Sequence, residues 1–139
     1  MKRDSEFDIV IWGATGFTGR LAAEKLAARS EDERDLRWAI GGRNEAKLES
    51  VRSALGPAAA DIPIITGDSH DLASLEALAA RTNVVCSTVG PYAMYGSELI
   101  AACARSGTHY CDLAAEAHWI RKMMDAHEAE AADTGARIV

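Results

Sequence analysis

Apolar residues fall into short β-branched runs separated by longer stretches with helical spacing, and the two kinds alternate along the whole chain. Phe7-Asp8-Ile9-Val10-Ile11-Trp12 predicts a first strand, and Arg20 to Leu26 a helix. Leu36 to Ile40 predicts a second strand, followed by a helix over Glu45 to Ala54. Ile62 to Thr66 reads as a third strand, with Pro63 near its start where a lost donor costs least. A helix over Asp71 to Ala80 follows, with Asp71 as its N-cap. Val84 to Val89 is apolar on both faces, as a central parallel strand should be. Glu98 to Ser106 is helical and stops at Gly107. A short strand at His109-Tyr110-Cys111 leads to a long helix from Glu116 to about Thr134, a stop at Gly135 and a last strand Arg137-Ile138-Val139. Such alternation calls for right-handed crossovers and a parallel sheet covered on both sides. The expected fold class is therefore α/β, a doubly wound parallel sheet of six strands in the order 3-2-1-4-5-6.

Between the first strand and first helix lies Gly13-Ala14-Thr15-Gly16-Phe17-Thr18-Gly19. Three glycines at spacing three, entered from a strand and left through a helix, suit a dinucleotide diphosphate and make this a Rossmann-type domain. Gly13 permits the tight turn, Gly16 lets backbone N–H groups approach the phosphates, and Gly19 lets the helix pack closely. The helix N-terminus, with free N–H groups and a positive dipole end, then faces the anion. Thr15 and Thr18 add hydroxyls that can meet a phosphate or cap the helix, and Phe17 stands among them.

The end of the second strand indicates which dinucleotide is preferred. An NAD site places Asp or Glu there to hold the ribose hydroxyls. This chain has Gly41-Gly42-Arg43-Asn44, while its acids Glu31, Asp32, Glu33 and Asp35 precede the strand. Arg43 offers a permanently charged planar fork that matches a 2′-phosphate, and Asn44 adds a donor or a cap. A charge-assisted bond of about 1.5–3 kcal/mol favours NADP over NAD by roughly 10- to 100-fold. After the third strand, Asp68 is placed to accept from the adenine amino group. After the fourth, Thr88-Val89-Gly90-Pro91-Tyr92 is expected beside the ribose and nicotinamide.

These segments together carry a family resemblance. Phe-Asp-Ile-Val-Ile-Trp-Gly-Ala-Thr-Gly-Phe-Thr-Gly-Arg at the start is similar to the opening of the saccharopine dehydrogenase-like oxidoreductases. The glycine spacing alone is shared with extended short-chain dehydrogenases and with negative transcriptional regulators. Ser-Thr-Val-Gly-Pro-Tyr ending at Tyr92, with Gly96 following, resembles the corresponding loop of the saccharopine dehydrogenase-like family. So does Gly107-Thr108-His109-Tyr110-Cys111-Asp112-Leu113, although the family usually continues with a small residue, Gly and Glu where this chain has Ala114-Ala115-Glu116. The resemblance implies hydride transfer between NADPH and an imine or enoyl substrate, and the opening looks more like the trans-acting enoyl reductases of the family.

Composition narrows the remainder. With 139 residues, 48% of them hydrophobic, the chain is read as one domain able to bury a core. A net charge of −6 argues against a nucleic-acid or anionic-membrane face. No apolar run approaches a membrane span, and the N-terminal one is too short for a signal peptide. Three cysteines without close pairs fit a reducing cytoplasm. Because the chain stops as a sixth strand begins, it reads as the N-terminal cofactor domain of a longer protein whose other domain holds a small-molecule substrate. Homo-oligomerisation is left open.

Candidate chemistry is sparse. No tyrosine has a lysine four residues later: Gly96, Leu99 and Ala114 occupy those positions after Tyr92, Tyr95 and Tyr110. Cys86, Cys103 and Cys111 lack metal-ligand spacing and read as buried thiols, so no metal is expected. His109, His118 and His127 read as structural or solvated, and Ile120, Met123, Met124, His127 and Ala131 as a core stripe. Tyr92 and Asp112 border the expected nicotinamide side and could contact substrate, with a ring stacked beside the cofactor and a turn cap as their simpler roles. No catalytic residue is assigned. A dinucleotide-binding redox sensor without catalysis remains the alternative function, and a dinucleotide fold used only for association a third.

Overall fold

The first strand, β1 (Phe7–Trp12), sits at the centre of a parallel sheet because its β-branched side chains are buried on both faces. A computed structural model describes residues 4–29 and 35–139. Glu31, Asp32 and Glu33 lie outside the described residues. In chain order follow α1 (Phe17–Ala27), β2 (Trp38–Gly42), α2 (Glu45–Ala54), a 3₁₀ turn (Pro57–Ala59), β3 (Ile64–Thr66), α3 (Leu72–Ala80) and β4 (Thr82–Ser87). They are succeeded by α4 (Tyr92–Tyr95), α5 (Ser97–Ser106), β5 (His109–Cys111) and α6 (Ala117–Thr134). Asn44 and Asp71 cap α2 and α3 by accepting from backbone N–H groups of the first turn. Gly107 and Gly135 end α5 and α6 at φ of 66° and 80°, where a side chain would strain the turn.

The sheet has five strands in the order β3-β2-β1-β4-β5, not the six expected. Residues 137–139 do approach β5. Tyr110 N–H donates to Arg137 O at 2.9 Å, and Val139 N–H donates to Tyr110 O at 3.0 Å. That is a single bridge, Tyr110 to Ile138. With only three residues, β5 turns one residue's N–H and C=O outward, so a ladder cannot extend along it.

Three strands also differ from expectation in extent; β3 begins at Ile64 instead of Ile62, so Pro63 precedes it. β2 continues through Gly41 and Gly42, residues that disfavour strands by propensity. Contact explains Gly41: a Cβ there would stand 2.9 Å from Trp12 Cε3, so the Trp12 ring occupies the space. β4 runs Thr82–Ser87 instead of Val84 to Val89, because Thr88 leaves the ladder to clamp the glycine turn described below. The four-residue α4 and the 3₁₀ turn were not expected at all.

One core lies between the sheet and α3, α5 and α6, built around Val10, Trp12, Val85, Leu75, Leu99 and Tyr110. A second lies against α1 and α2, around Ile11, Ala23, Ile40, Leu48 and Val51. The α6 stripe is only partly core: Met123 and Ala131 are buried, whereas Met124 is 49% exposed on a groove shared with Ile138 and Val139. At the amino ends of the strands, Arg37 holds Asp8 in a forked pair and reaches Ser5 O, while Arg81 holds Glu6. That pole is tied down by ion pairs. The loops carrying the glycine motif emerge at the other.

Candidate functional site

Trp12 ends β1, and the chain turns at Gly13 with φ of 93°, a conformation open to glycine. Gly13 N–H and Ala14 N–H donate to Gly41 O at 2.9 and 3.2 Å, which ties the turn to β2. Thr88 fastens it from the other side, its Oγ1 donating between Trp12 O at 3.1 Å and Gly13 O at 3.2 Å. Gly19 packs the first turn of α1 onto this structure so closely that a Cβ would stand 2.1 Å from Gly13 O.

Gly16 is different. Its φ of −80° suits any residue, and a Cβ there would meet only Gly13 O at an ordinary 3.5 Å. Nothing inside the fold requires glycine at this position. Gly16 is also the N-cap of α1 and provides no side-chain cap, and the first turn contains no acid. Thr15 and Thr18 are exposed and do not cap the helix. The N–H groups of Phe17, Thr18 and Gly19 therefore lack intrahelical acceptors and open outward from the strand ends. Phe17 itself is 83% exposed beside them.

Along this turn runs a cleft of about 310 Å³. It is lined by Gly13 and Thr15 of the turn, by Gly42, Arg43, Asn44 and Lys47 from the end of β2 onward, by Asp68, Ser69 and His70 after β3, and by Val89 and Tyr95. The expected residues Gly13, Thr15, Gly42, Arg43, Asn44, Asp68 and Val89 are thus brought together. Arg43 is exposed and takes part in no ion pair among the described residues, so its guanidinium is available to a ligand. Asn44 spends its Oδ1 on capping α2, accepting from Lys47 N at 3.0 Å. Asp68 Oδ1 accepts from His70 N at 2.8 Å and shapes the loop.

The loop after β4 contributes less than expected to this cleft. Gly90 and Pro91 are exposed beyond its lining, with a cis peptide between them. Tyr92 turns inward. Its ring is buried and stacks on Trp119 at 5.8 Å, and its hydroxyl donates to Ser87 O at 3.3 Å while accepting from Leu113 N at 3.3 Å. Burial pushes its phenol up from the ordinary range. Asp112 caps the turn after β5, accepting from Ala114 N at 2.9 Å and from the Tyr110 hydroxyl at 2.7 Å. Burial, followed by the Asp112 carboxylate, pushes the Tyr110 phenol upward.

Trp12, Lys47, Ser69, His70 and Tyr95 line the cleft without having been singled out in the sequence. Lys47 was within reach of sequence reasoning, since it lies one helical turn after Arg43. Tyr95 was not: it depends on α4, whose N-terminal amides at Tyr92 and Ala93 are held by the Glu116 carboxylate at 2.7 and 2.8 Å. Among the described residues no group of His, Cys, Asp or Glu is arranged to hold a metal, and no helix is long and apolar enough to cross a membrane.

Residues 9–139 match the family described as the saccharopine dehydrogenase NADP binding domain. The chain belongs to that family. Trans-acting enoyl reductase from Mycobacterium leprae is 51% identical over 134 residues, covering 96% of this chain and 31% of the relative. The trans-acting enoyl reductase of Mycobacterium tuberculosis is 50% identical over 136 residues, covering 98% of this chain and 32% of its own length. The chain thus spans about a third of the curated relatives it matches. Among solved structures, saccharopine dehydrogenase from Saccharomyces cerevisiae superposes with a TM-score of 0.72 at 19% identity, covering 95% of this chain and 26% of that one. A triphenylmethane reductase from Citrobacter sp., complexed with NADP(H), superposes at 0.66 and 19% identity over 94% of this chain and 48% of that chain. At these identities the structures show a shared fold. The saccharopine dehydrogenase NADP-binding domain family accounts for nearly the entire chain.

Proposed function

We propose that this chain is the nucleotide-binding part of an NADPH-dependent enoyl reductase whose substrate is held by a domain lying beyond residue 139. The observation that carries the reading is the uncapped N-terminus of α1 at Gly16, next in sequence to Thr15 in the lining of a cleft that also holds the unpaired Arg43. The residues present fit the group. Gly16 leaves room that the fold itself does not use, three helix N–H groups point out of the same turn, and the cleft walls carry Arg43 and Lys47.

When bound, NADPH supplies a hydride; what this chain supplies is position. The amides after Gly16 hold the diphosphate, and Arg43 grips the 2′-phosphate and selects against NAD. Thr88, clamped on the carbonyls of Trp12 and Gly13, keeps β4 and the glycine turn in register, which fixes where Val89 meets the cleft. Of the residues proposed for the cofactor, Gly13 and Gly19 build this turn, while Gly90, Pro91 and Tyr92 set the course of the following loop. An enoyl substrate is favoured over an imine because relatives near 50% identity are enoyl reductases, whereas the saccharopine dehydrogenase structure is only 19% identical. The odd number of cysteines, three without close pairs in sequence, fits a cytoplasmic location.

The test uses the longer protein that contains this chain, assayed for NADPH consumption with an enoyl and with an imine substrate. Consumption with the enoyl compound is expected. Turnover of the imine alone, or of neither, overturns the assignment.

A further inference from the structure

The strand pairing sets two cysteines against each other. Cys86 near the end of β4 and Cys111 at the end of β5 are register partners on adjacent parallel strands. Register partners in a parallel pair project to the same face, here the one covered by α1 and α2, where Cys86 packs beside that core. The helices packed on β4 and β5 in quantity, α3 and α5, lie on the opposite face. Both thiols are consequently half-buried, contrary to the fully buried state expected from sequence, whereas Cys103 in α5 is buried. The register thus sets the two side chains next to one another on that face.

We propose that Cys86 and Cys111 form a redox-active dithiol that closes to an intramolecular disulfide by exchange with a low-molecular-weight disulfide. Adjacent strands stand about 4.8 Å apart, inside the Cα range of about 4.4–6.8 Å that a disulfide spans. Side chains stacked at that spacing are farther apart than the mean Cβ separation of about 3.8 Å in a relaxed disulfide, so the bond forms under tension. Strained, accessible disulfides belong to the labile class that opens and closes with redox conditions. The pair is also asymmetric. Hydrogen bonding from Cys86 lowers the Cys111 thiol below its ordinary value, and the same contact followed by burial raises Cys86. That direction favours Cys111 as the attacking sulfur and Cys86 as the resolving one.

The Cys111 thiolate attacks one sulfur of the small disulfide, forming a mixed disulfide and expelling one thiolate. Cys86 then gives its proton to solvent, attacks Cys111 Sγ and expels the second thiolate. The protein loses two electrons and the small disulfide gains them as two thiols. Neither residue has a part in the nucleotide site proposed above, so this inference stands apart from that reading.

The test treats the chain with oxidised glutathione and counts thiols after denaturation. The count is expected to fall from three to one, with no glutathione retained. Digestion is expected to link the peptide of Cys86 to that of Cys111 within one chain, and dithiothreitol to restore all three thiols. Cys86→Ser should retain glutathione on Cys111, and Cys111→Ser should retain it on Cys86 more slowly because burial still raises that thiol, both variants keeping the parent's circular dichroism. Three free thiols after treatment, stable glutathione on both cysteines of the parent, a link involving Cys103, or a link between two chains would each overturn the proposal.

Discussion

Gly16 and Gly19 stand three residues apart in one motif, and the physical demands on them are opposite. A Cβ on Gly19 would collide with Gly13 O at 2.1 Å, whereas one on Gly16 would find an ordinary contact at 3.5 Å. Gly19→Ala is therefore expected to lower stability by about 1–3 kcal/mol or to displace the turn, read from urea unfolding. Gly16→Ala should change stability by less than about 1 kcal/mol, since it alters only a cap position, yet weaken NADPH binding by at least about 10-fold. Equal stability losses in the two variants would remove the ligand-based account of Gly16. For Arg43, which has no partner among the described residues, Arg43→Ala should weaken NADPH by about 10- to 100-fold and leave NADH unchanged. Isothermal titration with both cofactors checks it; equal losses would contradict the assigned role. The turn that carries Gly16 and Gly19 was legible in the sequence because a strand–turn–helix junction is encoded locally. Tyr92 was not, because its direction depends on a ring in α6, Trp119, that no local pattern reveals.

Among the elements, α2 and α3 are capped by their own side chains, Asn44 and Asp71, and both caps can be read from sequence. By contrast α4 is held from outside, by a Glu116 carboxylate 24 residues away in sequence from Tyr92. Four residues cannot sustain a helix by propagation alone, so the sequence gives no sign of it. Glu116→Ala is expected to cost about 1–2 kcal/mol, the low end for charged acceptors because the site is half-exposed, and to raise amide exchange at Tyr92 and Ala93. Unchanged exchange there would show that α4 stands without this cap. The β2 boundary departs from the expected one for a related reason: glycine signals a strand's end locally, but Gly41 is packed against Trp12 from β1.

The molecule as a whole is polarised, with ion pairs at the amino ends of its strands and a cleft at the carboxyl ends. Hydrogen bonding from Arg81 and Arg37 holds the Glu6 and Asp8 carboxyls below their ordinary values. Groups depressed in this way stabilise the fold above the ordinary carboxylate range, near pH 4, and that stabilisation is lost as pH falls through their folded values. Arg37→Ala is accordingly expected to be less stable than the parent at neutral pH, with the difference shrinking below about pH 4 in urea unfolding. A difference that grows toward acid would contradict it. Alternating strands and helices made the parallel sheet and its central order legible. The sixth strand was not, since its pairing rests on how many residues of β5 face outward. The central claim, that the glycine turn and Arg43 together select NADPH, is tested most directly by titrating NADPH and NADH into the chain while following backbone amide resonances. The account predicts roughly 10- to 100-fold tighter binding of NADPH, with the largest shifts at Gly16 to Gly19 and at Arg43. Equal affinities, or shifts confined to the groove beside α6, would contradict it.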